Sequence, residues 1–220
     1  MIAYNYCYST LLCKLHNYKP SKNDIGYLKN LKLAPGLVDL LIKEDGVNIS
    51  PNGFVFVNSH IRKSILAKML EEILNIRIKV KEVMKLFKDD TELTRLYNAR
   101  QLALKLIANV TYGYTSATFS GRMPNSDISD AIVSTGREIL NKSIQMIEAG
   151  KYGAKVVYGD TDSLFVYFPG RSKSEAFILG KAIAKEITDF FPDPVKLKFE
   201  KVYHPCVLLA KKRYVGYYYE

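Results

Sequence analysis

The chain has 220 residues, 48% of them hydrophobic and 25% charged, with a formal net charge of +10. That length holds one good-sized core or two small domains, the composition is that of a globular protein and not of a disordered one, and no apolar run reaches the ~20 residues of a membrane span. The charge suits a polyanionic partner, nucleic acid ahead of a membrane surface because no basic amphipathic anchor stands out; a merely soluble basic protein would carry the same charge.

In chain order, residues 16–36 are polar and broken by Pro20, Gly26, Pro35 and Gly36, the marks of connections. Leu37–Lys43 suits a short helix, 48–53 (NISPNG) a turn, and Phe54–Val57 a short strand. Leu66, Met69, Leu70, Ile73, Ile76, Val80, Val83, Met84 and Phe87 recur at helical spacing. Asp89–Glu92 breaks that pattern, with Thr91 as the expected cap of a second helix over Glu92–Tyr112, whose apolar positions are Leu93, Leu96, Leu102, Leu106 and Val110. The two helices make an αα-hairpin with an acidic tip. Gly113, Gly121 and Pro124 mark a loop, and Ser126–Ala149 a further helix. Strands flank 158–163 (YGDTDS), Lys173–Phe191 is helical, and Lys196–Tyr203, Val207–Ala210 and Tyr214–Tyr219 read as strands. The class is α+β: a small antiparallel sheet backed by helices, with the helical hairpin projecting from it.

Asp160 and Asp162 sit two residues apart at a turn between apolar strands. A charge at the start of a return strand is costly unless it faces water or a cation. An ordinary hairpin turn at Gly159–Asp160 explains the first carboxylate equally well. On the second long helix Lys105, Asn109 and Tyr112 are spaced i, i+4, i+7, and on the first Arg77 and Lys81 are i, i+4, so each set shares a face. Arg and Lys neutralise phosphate oxygens; a solvated basic face continued by Lys85 and Lys88 has the same spacing. A triphosphate brings Mg²⁺, which takes one or two carboxylates with phosphate oxygens and water.

Lys105-x-x-x-Asn109-x-x-Tyr112–Gly113, Tyr158–Gly159–Asp160–Thr161–Asp162–Ser163 and Lys211–Lys212–Arg213–Tyr214 resemble three signature motifs of family B DNA polymerases, in the family's order. Residues 105–124 (KLIANVTYGYTSATFSGRMP) and 197–220 (LKFEKVYHPCVLLAKKRYVGYYYE) resemble the zeta branch, of translesion enzymes; the replicative delta branch usually has Ser where Val110 stands. The resemblance implies a palm over 1–61 and 114–220 with a fingers hairpin over 62–113. It implies that Arg77, Lys81 and Lys105 grip the incoming dNTP with Asn109 in support, and that Tyr112 lines the nascent base-pair pocket. Asp160 and Asp162 become catalytic metal ligands in a two-Mg²⁺ site, and Lys211, Lys212, Arg213 and Tyr214 the contact to primer–template DNA. Glu200 becomes an accessory metal ligand, although a surface Glu beside Lys201 reads as well. The implied compartment is the nucleus, with accessory subunits bound through other regions.

The same resemblance puts the family's first acidic motif ahead of Met1, so that the partner carboxylate of Asp162 is missing. The upstream exonuclease-like domain, the downstream thumb and the cysteine-rich iron–sulfur or zinc tail have no counterpart here either. The chain alone is therefore expected to be an inactive piece. A non-catalytic polymerase-like module that binds DNA or protein would keep the same basic surface. Cys7, Cys13 and Cys206 have no C-x-x-C spacing and no nearby His pair, which suits reduced thiols in the cytosol or nucleus.

Overall fold

The computed structural model describes residues 1–15, 34, 36–117, 121 and 123–220, so most of the connections expected over 16–36 lie outside the described residues. The chain divides into two compact units, Met1–Thr135 and Gly136–Glu220. No described helix is long and apolar enough to cross a membrane.

In the first unit, β1 (Leu11–Lys14), β2 (Val47–Ile49) and β3 (Phe54–Val57) form an antiparallel sheet in the order β1–β3–β2. All four residues of β3 are buried, as its unbroken apolar run requires of a central strand. β1 was not foreseen, and β2 ends inside the stretch read as a turn. The turn proper is 50–53: Ser50 Oγ accepts from the Phe54 amide at 3.0 Å, and Gly53 takes φ 84°. The core joins Tyr6, Leu11, Phe54 and Phe56 to Ile128 and Ala131 of α4 (Ser126–Glu148). The Tyr6 ring packs tilted against Phe56, centroids 4.3 Å apart, and its hydroxyl shares a 3.0 Å hydrogen bond with Thr135.

α1 (Leu37–Lys43) falls where the sequence places it. The helical hairpin consists of α2 (Ile65–Leu86) and α3 (Thr91–Ser116). Ser64 caps α2 through the Ala67 amide. The cap of α3 is Asp90, not Thr91: its Oδ1 accepts from the Leu93 amide at 3.0 Å, and a carboxylate also suits the positive end of the helix dipole. α3 also runs through Gly113 to Ser116, where the sequence suggests a stop. A glycine without a left-handed φ ends nothing by itself. Ile76, Leu96, Leu102, Leu106 and Val110, all among the apolar positions at helical spacing, are about half exposed. Among the described residues each helix packs mainly on the other, and that contact covers only one stripe.

In the second unit, β4 (Lys155–Asp160) pairs with β5 (Ser163–Tyr167), and β6 (Val202–Ala210) with β7 (Arg213–Tyr219), both antiparallel. Between them lies α5 (Lys173–Phe190), opened by a capping box in which Ser172 and Glu175 satisfy each other's amides. Ile147, Ile183 and Ile187 centre the core, with Val156, Leu164 and Val166 packed on it. The strand expected from Lys196 starts only at Val202. The preceding stretch is held by α5 instead, through the Leu197 amide donating to Thr188 Oγ1 at 3.0 Å. Conversely, β6 does not break near Pro205: its register with β7 shifts between Tyr203 and Cys206, absorbing a residue that cannot donate.

Gly180 of α5 lies against the ring of Phe199, and a Cβ there would sit 2.5 Å from that ring. Gly180→Ala gains helix propensity of up to ~1 kcal/mol, but displacing a packed ring costs ~1–3 kcal/mol. The expected net result in urea unfolding is a loss of roughly 1 kcal/mol. A stabilised variant would show that Phe199 moves aside freely.

Candidate nucleotide and metal site

The two sets of candidate residues lie in different units. In the first unit, Arg77 is half-buried on the seam between α2 and α3, and its Nε donates to Gln101 Oε1 at 3.3 Å. This bond marks where the two antiparallel helices face each other. Lys105 stands about 6 Å further along α3 from Gln101, and Asn109 about 12 Å. Lys81 lies one turn from Arg77 toward the hairpin tip, the opposite direction. By helical angle all four lie on the same lateral side of the hairpin, and Lys81, Lys105 and Asn109 are exposed there. Tyr112 is half-buried, its hydroxyl 3.5 Å from Ser129 Oγ. Sequence reasoning missed Gln101; an amide one turn before Lys105 on the polar flank was the available signal.

In the second unit, the pair Asp160–Ser163 closes a two-residue loop, Thr161–Asp162. The positive φ of this turn is carried by Thr161, at 55°, and not by Gly159. A β-branched residue in that region stores ~1–3 kcal/mol of strain. Gly159 is instead a point of close approach, where a Cβ would meet Leu164 at 3.2 Å. Asp162 is exposed at the tip and Asp160 half-buried beneath it, accepting from Thr161 Oγ1 at 3.2 Å. Asp162 and Glu200 line one open cleft of about 1100 Å³, together with Phe165, Lys198 and Tyr203.

The tip of the β6–β7 hairpin reaches this site. Lys212, with φ 62°, donates its amide to the Tyr158 hydroxyl at 2.8 Å, and its Nζ lies 3.7 Å from Asp160 Oδ1. Tyr214 packs edge-on against Phe165 at 4.8 Å, and Tyr203 joins both rings. Burial pushes the Tyr203 phenol above its usual range. Tyr214 therefore docks one hairpin on the other, while Lys211 and Arg213 are exposed beside it. The link from Tyr158 to Lys212 was not legible in the sequence.

The donor set fits a hard divalent cation. Two carboxylates rise on one tip, and Mg²⁺ takes one or two such ligands with phosphate oxygens and water. Among the described residues no three His, Cys, Asp or Glu side chains gather as a ligand cluster, so the hairpin offers part of a coordination shell. The cysteines are free thiols, and burial raises that of Cys13, the reverse of an activated nucleophile.

Comparison with known proteins gives this geometry its context. The family described as DNA polymerase family B matches residues 1–220, and the chain belongs to that family. Over its whole length it is 54% identical to the DNA polymerase zeta catalytic subunit of Saccharomyces cerevisiae, covering 15% of that protein. It is 51% identical to the zeta catalytic subunit of Homo sapiens, covering 7%. Identity to the delta catalytic subunit of Glycine max is lower, at 38%, covering 19% of that protein. Among solved structures, the family B DNA polymerase from the archaeon Pyrobaculum calidifontis superposes with a TM-score of 0.61 at 26% identity, over 98% of this chain and 24% of that one. The chain thus spans a small part of the relatives it matches, and it resembles zeta subunits more than delta ones.

Proposed function

We propose that this chain is the fingers and most of the palm of a DNA-directed DNA polymerase that adds dNTPs to a primer 3′-hydroxyl, acting in the nucleus in translesion synthesis. The carrying observation is the β4–β5 tip, which holds two carboxylates, Asp162 lining the cleft and Asp160 half-buried beneath it, in a family B chain. In this reading residues 62–113 are the fingers and 1–61 and 114–220 belong to the palm. Zeta branch membership rests on identity over the whole chain, 54% and 51% to two zeta catalytic subunits against 38% to a delta one. Accessory subunits would bind regions outside these residues.

Asp160 and Asp162 would hold divalent cations, with Glu200 at the cleft wall as an accessory ligand. Bound Mg²⁺ supplies charge neutralisation at the phosphates and a more acidic primer hydroxyl. The chain's own residues do the positioning. Arg77, Lys81 and Lys105 meet the triphosphate oxygens and oppose the charge that builds up on the leaving pyrophosphate. Asn109 donates an amide hydrogen beside them, and Tyr112 borders the nascent pair. Lys211, Lys212 and Arg213 neutralise backbone phosphates, and the Tyr214–Phe165 contact keeps them at the carboxylate tip. Primer extension by the full-length polymerase and its Asp162→Ala variant tests the reading.

DNA binding by the 220-residue chain is a separate test. A charge of +10 with exposed Lys211 and Arg213 predicts affinity for duplex DNA that falls roughly ten- to a hundredfold between ~50 and ~200 mM salt. Replacing Lys211 and Arg213 with alanine should lower the salt slope by about two. An affinity indifferent to salt would count against the phosphate contacts.

A further inference from the structure

Arg77 is held by an amide, and that choice of partner carries chemistry. Its Nε donates to Gln101 Oε1 at 3.3 Å across the hairpin, and Gln101 Nε2 donates in turn to Asn98 Oδ1 at 3.0 Å on α3. Both ends of the Gln101 amide are thereby engaged, which fixes its orientation. Among the described residues no carboxylate pairs with Arg77. A carboxylate in place of Gln101 would hold the guanidinium more tightly but would cancel its charge. A neutral acceptor fixes the fork and leaves the charge whole. It also occupies Nε alone, so both terminal nitrogens stay available for a bidentate grip on phosphate.

We propose that Gln101 is a positioning residue for dNTP binding: the chain Asn98–Gln101–Arg77 orients the Arg77 guanidinium toward the triphosphate one helical turn from Lys105, without neutralising it. This rests on the reading of Arg77 as a triphosphate ligand. The bond also explains why Arg77 is half-buried while Lys81 and Lys105 are exposed. The lysines are mobile point charges, whereas an arginine fork is selective only when its plane is set. An arginine free to rotate would lose that pre-organisation on every binding event.

The test is steady-state single-nucleotide extension by the full-length polymerase, with KM for dNTP and kcat measured separately. Gln101→Met keeps length and bulk but removes both hydrogen bonds. It should raise KM about five- to tenfold while kcat stays within about twofold. Gln101→Glu keeps the acceptor but adds charge, and it should also raise KM. In the double variant Arg77→Ala/Gln101→Met the second change should add no further loss, because Gln101 acts through Arg77. A merely structural role would lower the active fraction and leave KM alone. If Arg77→Ala raises KM but Gln101→Met and Gln101→Glu do not, the positioning role is overturned and the triphosphate role of Arg77 stands. If Arg77→Ala leaves KM unchanged, the assignment of Arg77 fails and the positioning role falls with it.

Discussion

Asp162→Ala, made in the full-length polymerase, should reduce primer extension by a thousandfold or more, to an order of magnitude, while leaving DNA affinity nearly unchanged. The two tip carboxylates are not equivalent. Asp160 is half-buried, accepts from Thr161 Oγ1 and has the Lys212 ammonium 3.7 Å away. Asp162 is exposed and faces the cleft, and among the described residues no cation is paired with it. It is therefore the carboxylate with its oxygens open to a metal. Losing one negative ligand from a site that gathers divalent cations and a triphosphate removes charge where the transition state needs it most. Since Asp162 is at an exposed loop tip, its truncation creates no cavity, and unfolding should be unaffected within about 0.5 kcal/mol. Lys211, Lys212 and Arg213 keep their places, so the DNA salt slope should not move. Single-turnover extension and DNA titration on one preparation separate these effects. Extension that survives the substitution would assign the catalytic centre elsewhere.

Local signals in the sequence fared well and long-range ones did not. The αα-hairpin announces itself by period, α1, α4 and α5 fall where the sequence places them, and the carboxylate tip is marked by two aspartates between apolar runs. Errors arose where one residue type has several uses. Gly113 sits inside a helix, and Gly159 serves close packing while Thr161 carries the turn. Lys196–Lys201 alternates like a strand yet is tied to Thr188 of α5. Exposure of Ile76 and Val110 follows from how many neighbours a helix has, and periodicity does not count neighbours. At the site, spacing along one helix placed Lys105 and Asn109 on a common face. The bonds from Arg77 to Gln101 and from Lys212 to Tyr158 join residues 24 and 54 positions apart, and pairings at that separation leave no trace in a single sequence.

Asn5 is the extreme case of a residue whose importance only the fold discloses, and Asn5→Ala should cost about 3–5 kcal/mol of stability. Its side chain is 1% exposed, and its φ is 57°, the left-handed region that asparagine tolerates better than alanine. Nδ2 donates to the carbonyl oxygens of Val57 at 2.7 Å and Arg62 at 2.8 Å, and Oδ1 accepts from the Ser64 amide at 2.9 Å. Alanine would leave the buried Val57 carbonyl and Ser64 amide without these partners at ~1–3 kcal/mol each, cost less at the carbonyl of exposed Arg62, and add the strain of its Cβ. Asn5→Gly relieves the strain but not the lost bonds, so it should recover only about 1 kcal/mol. Ser64 is the cap of α2, the helix that carries Arg77 and Lys81. Unfastening its amide loosens the first turn of that helix, which should appear as faster hydrogen exchange at Ser64 and Ala67 before global unfolding. Urea unfolding of Asn5→Ala beside Asn5→Gly measures both parts. A loss under about 1 kcal/mol in the alanine variant would mean that solvent satisfies the three backbone groups, and that the base of the hairpin is held by packing rather than by this amide.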